Sequence, residues 1–245
     1  MLRILVTRPE PDATRQAIAL RRAGHHPIIA PVLEVESLSF IELADEEPVA
    51  ATIATSRNAV RALTASPLVS RLSRLPAFAV GEATGAALAE LGFSDVIIGP
   101  GTGRELAEVV AGRVSQTAGR IIVLRGESIA FDVAAALAVQ GYPVLSMICY
   151  RTRPVTALAE EARQALAGGE VDAVVLMSPA TARAFAALLQ AAAIEPPSPL
   201  TCLCLSHQVA GALPVAGPFS AIVAPAPNSE EILALVNRMA ALSRR

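Results

Sequence analysis

The chain has 245 residues, 53% of them hydrophobic but only 3% aromatic and none tryptophan, with a formal net charge of −2. That composition excludes a disordered or fibrous chain, predicts a close-packed aliphatic core, and provides no global attraction for nucleic acid or for an anionic membrane surface. Mean hydropathy is +0.51, yet the longest charge-free run, 196–229, is broken by repeated prolines and by His207, Gln208 and Asn228, so no stretch of about 20 apolar residues is available to span a bilayer.

The chain opens on MLRILVTRPE, whose apolar run is too short for a signal peptide and lacks a small-residue cleavage site, so a cytoplasmic location is expected. Arg3 to Thr7 reads as a strand, followed by a helix from Asp12 to Ala23 and a strand from His26 to Ala30. The alternation then continues with strand Ala51 to Thr55, helix Asn58 to Ala65, strand Ala77 to Val80, helix Ala83 to Leu91, strand Asp95 to Ile98 and helix Arg104 to Val114. Strand Arg120 to Leu124, helix Ser128 to Gln140 and strand Pro143 to Ile148 complete the middle of the chain. The last part predicts strand Ala173 to Met177, helix Ala180 to Ala192, strand Thr201 to Leu205, helix Gln208 to Leu213, strand Ala221 to Ala224 and helix Ser229 to Ser243. Continuous aliphatic strands alternating with amphipathic helices call for parallel sheets covered on both faces. Ten strands are many for one open sheet, and two five-stranded sheets are the simpler solution.

An internal repeat points the same way. VAATIATSRNAVRAL (Val49 to Leu63) aligns without a gap on VDAVVLMSPATARAF (Val171 to Phe185), AFAVGEATGAAL (Ala77 to Leu88) on CLCLSHQVAGAL (Cys202 to Leu213), and FSDVIIGPGTGREL (Phe93 to Leu106) on FSAIVAPAPNSEEI (Phe219 to Ile232). The remaining quarter, Arg120 to Val144, finds its partner at the N-terminus, in Arg3 to Ile28. The repeat is therefore permuted. The expected architecture is two similar α/β lobes, each a small parallel sheet flanked by helices, one discontinuous (1–36 plus 152–245) and one continuous (37–151). Two extended hinge strands, about 32–38 and 147–154, join them, and a ligand cleft is expected between the lobes, beyond the carboxyl ends of the strands.

Chemistry is therefore sought at the strand-to-helix turns, where the first helical N–H groups are satisfied either by a capping side chain or by an anion. These turns carry Arg8, Ser56 with Arg57 and Asn58, Thr84, Arg125, Ser178, and Ser206 with His207. Ser56, Ser178 and Ser206 read as N-caps when taken singly; together with the arginines the turns suit a ligand bearing many carboxylates. GPGTGRE (Gly99 to Glu105) lacks the lysine of a phosphate loop, and Thr102 with Glu105 forms a capping box. His207 caps its helix or faces the cleft, and Tyr150, in a predicted hinge strand, either packs there or donates a proton across the cleft. Cys149, Cys202 and Cys204 form no CxxC pair and read as buried strand residues, so neither a zinc site nor a disulfide frame is expected.

ILVTRPEP at the start, TSRNAVRAL, AVGEATGAALAELGF, VLRGES, GYPVLSMICYRT and MSPATARAF, in that order, resemble the uroporphyrinogen-III synthase family over nearly the whole chain. The resemblance implies an enzyme without metal or other cofactor that cyclises hydroxymethylbilane, a linear tetrapyrrole with eight carboxylates, with loss of water and inversion of ring D, and that is expected to act as a monomer. It implies Tyr150 as proton donor in loss of the hydroxyl, Thr84 and Ser178 as cleft residues, Ser56 and Asn58 in a carboxylate-holding turn, and Arg8 and Arg125 at recurrent positions. Where the family commonly shows Gly-x-x-Thr, this chain has Ser206, His207, Gln208 and Val209, so that threonine's role is absent or passes to Ser206 or His207. The alternative on the same scaffold is a non-catalytic tetrapyrrole- or carboxylate-binding regulatory module.

Overall fold

The computed structural model describes residues 1–39, 43–44 and 46–242. The elements follow in the order β1 (Arg3–Val6), α1 (Asp12–Arg22), β2 (His26–Ile29), β3 (Leu33–Ser37), β4 (Val49–Ala54), α2 (Arg57–Thr64), α3 (Val69–Leu72), β5 (Ala77–Ala79), α4 (Glu82–Glu90), β6 (Val96–Ile98) and α5 (Gly103–Ala111). Then come β7 (Arg120–Gly126), α6 (Val133–Val139), β8 (Val144–Pro154), α7 (Glu160–Ala167), β9 (Ala173–Leu176), α8 (Pro179–Ala191), β10 (Leu200–Cys204), α9 (His207–Ala210), β11 (Phe219–Val223) and α10 (Ser229–Leu242). Ser243, expected to end the final helix, lies outside the described residues.

The strands form two sheets, ordered β11-β10-β9-β1-β2 and β3-β8-β7-β4-β5-β6. Setting β3 aside, the repeat partners occupy the same places in both: β2 and β8, β1 and β7, β9 and β4, β10 and β5, β11 and β6. All pairings within each set of five are parallel. The chain divides into two compact units, Met1–Glu34 with Arg153–Arg245, and Val35–Thr152.

The central strands of each sheet are buried on both faces, which is why they read as unbroken aliphatic runs. In β7, Ile122 and Leu124 enter one core cluster while Ile121 and Val123 enter the other. In β9 of the other unit, Val174 and Leu176 alternate in the same way with Ala173 and Val175. This period of two distributes one strand between two helical layers.

The sixth strand of the larger sheet is β3, from one of the two segments expected as hinge strands. Leu38 N–H donates to Cys149 O at 2.8 Å and Val155 N–H to Val32 O at 3.1 Å, pairings that run in opposite senses and make β3 and β8 antiparallel. Arg151 on β8 forms a two-pronged bond to the Glu36 carboxylate, at 2.6 and 2.7 Å. Further departures from expectation are local. α3 and α7 have no counterpart in the sequence reading; the short apolar face of α7, Ala162, Ala165 and Leu166, is buried. α6 begins at Val133 rather than Ser128, because Asp132 Oδ1 accepts from Ala135 N–H at 3.0 Å and so supplies the cap.

All three cysteines are fully buried strand residues. Burial pushes the Cys149 and Cys204 thiols up to about 11 and the Cys202 thiol up to about 12. A raised thiol pKa keeps the group neutral and unreactive at pH 8, where a free thiol is partly ionised. Iodoacetamide at pH 8 is accordingly expected to label none of the three in the native protein and all three after denaturation, read by intact mass; rapid native labelling would contradict this burial.

Candidate functional site

In the continuous unit the chain runs outward from β4 through β5 to β6, then returns to lay β7 and β8 on the other side of β4. The place where direction reverses lies between β7 and β4, and their carboxyl ends open onto a crevice there, as in open parallel sheets generally. A cleft of about 770 Å³ occupies this position. It is lined by Thr55 and Ser56 after β4, Val80 after β5, segment 101–105 after β6, Gly126 at the end of β7 and segment 128–131 after it, Val133, and Tyr150 of β8.

Ser56 and Tyr150 meet in this cleft. Ser56 is the extended N-cap of α2, and its Oγ accepts from Ala59 N–H at 3.2 Å while donating to the Tyr150 phenol oxygen at 2.9 Å. The tyrosine oxygen thus receives one proton and keeps its own to give away. A β-bulge turns the ring into place: Arg125 pairs with Ile148 but Gly126 with Tyr150, leaving Cys149 as the extra residue. The ring lies directly over Gly126, where a Cβ would come within 2.7 Å of Tyr150 Cζ and 2.8 Å of its oxygen. Only glycine at 126 admits the phenol in this position.

The other expected residues of this unit stand apart from the cleft lining. Asn58, in the first turn of α2, accepts from Arg61 Nη1 at 2.7 Å. Thr84, 5% exposed, lies in the first turn of α4. Arg125 runs along the sheet, donating from Nε to Ser146 Oγ at 2.7 Å and from Nη1 to the carbonyl of Gly126 at 3.0 Å, so it braces β7 against β8.

In the discontinuous unit only the Ser178 turn, of the three corresponding ones, is closed by a side-chain cap. Ser178 accepts from Thr181 N–H at 3.1 Å and shares a 2.7 Å bond with the Thr181 hydroxyl, ahead of Pro179 in the first turn of α8. Arg8 pairs with Asp12 at 3.2 Å, both side chains largely buried. Ser206 is the extended N-cap of α9 but makes no side-chain cap bond, and His207 beside it is exposed.

Gly126, Arg104 and Phe131 are cleft residues that the sequence reading did not assign to the site. Gly126 stands in one of the quoted motifs, but its contact with Tyr150 depends on the bulge. Arg104 and Phe131 form a cation–π pair, the guanidinium 5.0 Å from the ring centroid. The glycine-rich segment before Arg104 is the available signal, and for want of a phosphate-loop lysine it reads as a capping box. Among the described residues no group of three or more His, Cys, Asp or Glu is arranged to hold a metal, and no helix is long and apolar enough to cross a membrane.

Fold and site together define a two-unit α/β protein built from a permuted repeat, with a cleft at the switch point of one sheet. The model of the uroporphyrinogen-III synthase HemD family matches residues 14–234, and the chain belongs to that family. A search of curated proteins found no match. The fold is similar to that of the uroporphyrinogen-III synthetase of Helicobacter pylori 26695, at 20% identity and a TM-score of 0.66, covering 100% of this chain and 99% of that one. It is also similar to a mutant uroporphyrinogen III synthase of the extremely thermophilic bacterium Thermus thermophilus, at 19% identity and a TM-score of 0.57, covering 100% of both chains.

Proposed function

We propose that the chain is a uroporphyrinogen-III synthase that converts hydroxymethylbilane to uroporphyrinogen III in the cytoplasm. Beyond family membership, the observation that carries this reading is the Ser56–Tyr150 pair in the cleft. The difficult opening step is departure of a hydroxyl from the terminal pyrrole's methylene carbon. Tyr150 gives its phenolic proton to that oxygen as the carbon–oxygen bond breaks; the pyrrole nitrogen lone pair supplies the electrons, and water leaves behind an azafulvenium cation. Hydrogen bonds passing from the Ala59 N–H through Ser56 to the phenol oxygen stabilise the negative charge that develops there.

The cation is then attacked by the substituted carbon of ring D, and the spiro intermediate fragments and recloses with that ring inverted. The proton lost from carbon at the final closure balances the one Tyr150 supplied. Left alone, the same substrate closes to the uninverted isomer I, so the protein's further task is to hold a flexible chain in the geometry that inverts. No strong nucleophile is needed. A coupled assay that generates hydroxymethylbilane in place, oxidises the products and separates isomers I and III tests the reading. Predominance of isomer III is expected; isomer I alone, at the spontaneous rate and with folded protein, would overturn it.

A further inference from the structure

We propose that Arg104 is the anion anchor of this cleft, receiving a carboxylate side chain of the tetrapyrrole, and that Phe131 holds its guanidinium ready for that contact; the proposal rests on the synthase reading. Arg104 is the one cation among the described cleft-lining residues. The other charge there, Glu105, is turned back on its own helix: its carboxylate accepts from the Thr102 hydroxyl at 2.6 Å, and its N–H donates to Thr102 Oγ1 at 3.3 Å.

Among the described residues Arg104 makes no hydrogen bond or ion pair to a protein acceptor. Its guanidinium lies over the Phe131 ring, which attracts a cation without consuming any of the five N–H donors. The stack is itself supported. Gly103 lets Phe131 and Val133 press on the start of α5, since a Cβ at 103 would stand 3.1 Å from Phe131 Cδ1 and 3.1 Å from Val133 Cγ2. A planar fork, steadied over an aromatic face and bordering the cleft that holds Tyr150, fits a two-pronged carboxylate bond. Fixing one side-chain carboxylate at Arg104 sets which pyrrole, and which of its faces, lies before the phenol. An arginine that merely covered Phe131 from water would produce none of this.

The test titrates uroporphyrin III, the stable oxidised product, into the full chain by fluorescence and measures steady-state kinetics on the same samples. Arg104→Gln is expected to weaken binding about tenfold, with KM rising more than kcat falls, and to flatten the salt dependence by about one charge. Arg104→Lys keeps the charge without the fork and falls between. Phe131→Leu keeps apolar bulk without the ring and weakens binding about threefold. Arg113→Gln serves as the control, because Arg113 borders a different cavity beside Pro76 and Asp95 at the amino ends of the strands. Binding by folded Arg104→Gln within twofold of the unaltered chain, while that chain makes isomer III, overturns the anchor alone. No uroporphyrin III binding by the unaltered chain overturns both the anchor and the tetrapyrrole reading.

Discussion

Tyr150→Phe is expected to lower kcat for isomer III by about 10²–10⁴-fold, the usual span for removing a positioned general acid. The substitution deletes one oxygen and keeps the ring over Gly126, so the fold should survive it. Ser56 loses its acceptor but retains the Ala59 N–H on its own oxygen, and the stability cost is about 1 kcal/mol. Substrate released unconverted closes spontaneously, so the isomer ratio should swing toward isomer I as the rate falls. The isomer assay and a thermal unfolding scan on one preparation measure both. Formation of isomer III at the unaltered rate would remove Tyr150 from the chemistry.

Gly126→Ala is expected to lower kcat about 100-fold while leaving the phenol chemically intact. A methyl group 2.7 Å from Cζ and 2.8 Å from the oxygen cannot coexist with the ring, so Tyr150 must lift away and release Ser56. The backbone at 126 does not lie in the left-handed region, so the effect comes from the side chain alone. The stability cost of such crowding is about 1–3 kcal/mol. A double-mutant cycle isolates the cause: once Phe stands at 150, adding Ala at 126 should cost little further activity. Additive losses would mean that Gly126 acts on the cleft by some route other than the tyrosine.

What the sequence made legible was whatever repeats or alternates. The correspondence of Val49 to Leu63 with Val171 to Phe185, together with that of Arg120 to Val144 with Arg3 to Ile28, predicts a permuted pair of sheets, because strand order follows from connectivity and aliphatic runs survive divergence. The sheets do share one order of strands. The site was less legible because its contacts cross between strands. That Gly126 underlies Tyr150 depends on one extra residue at Cys149, and no local pattern announces a bulge. Ile129 to Phe131 read as the start of a helix, yet Asp132 captures the cap and releases segment 128–131 to line the cleft. Arg104 was hidden by composition, since the chain contains arginine and no lysine, and a single arginine therefore carries little information.

The permuted connectivity also orders events during synthesis. β1 is an interior strand, seated between β2 and β9, but β9 begins only at Ala173. At about 5–20 residues per second, the N-terminal β-α-β segment waits on the order of ten seconds with one edge of β1 open, while the continuous unit is completed in the meantime. An unpaired aliphatic edge is an invitation to foreign strands. The growing chain's greatest exposure to misassociation therefore falls between the emergence of Ile29 and that of Leu176, and nascent chains arrested in that window are the ones a chaperone would be found holding.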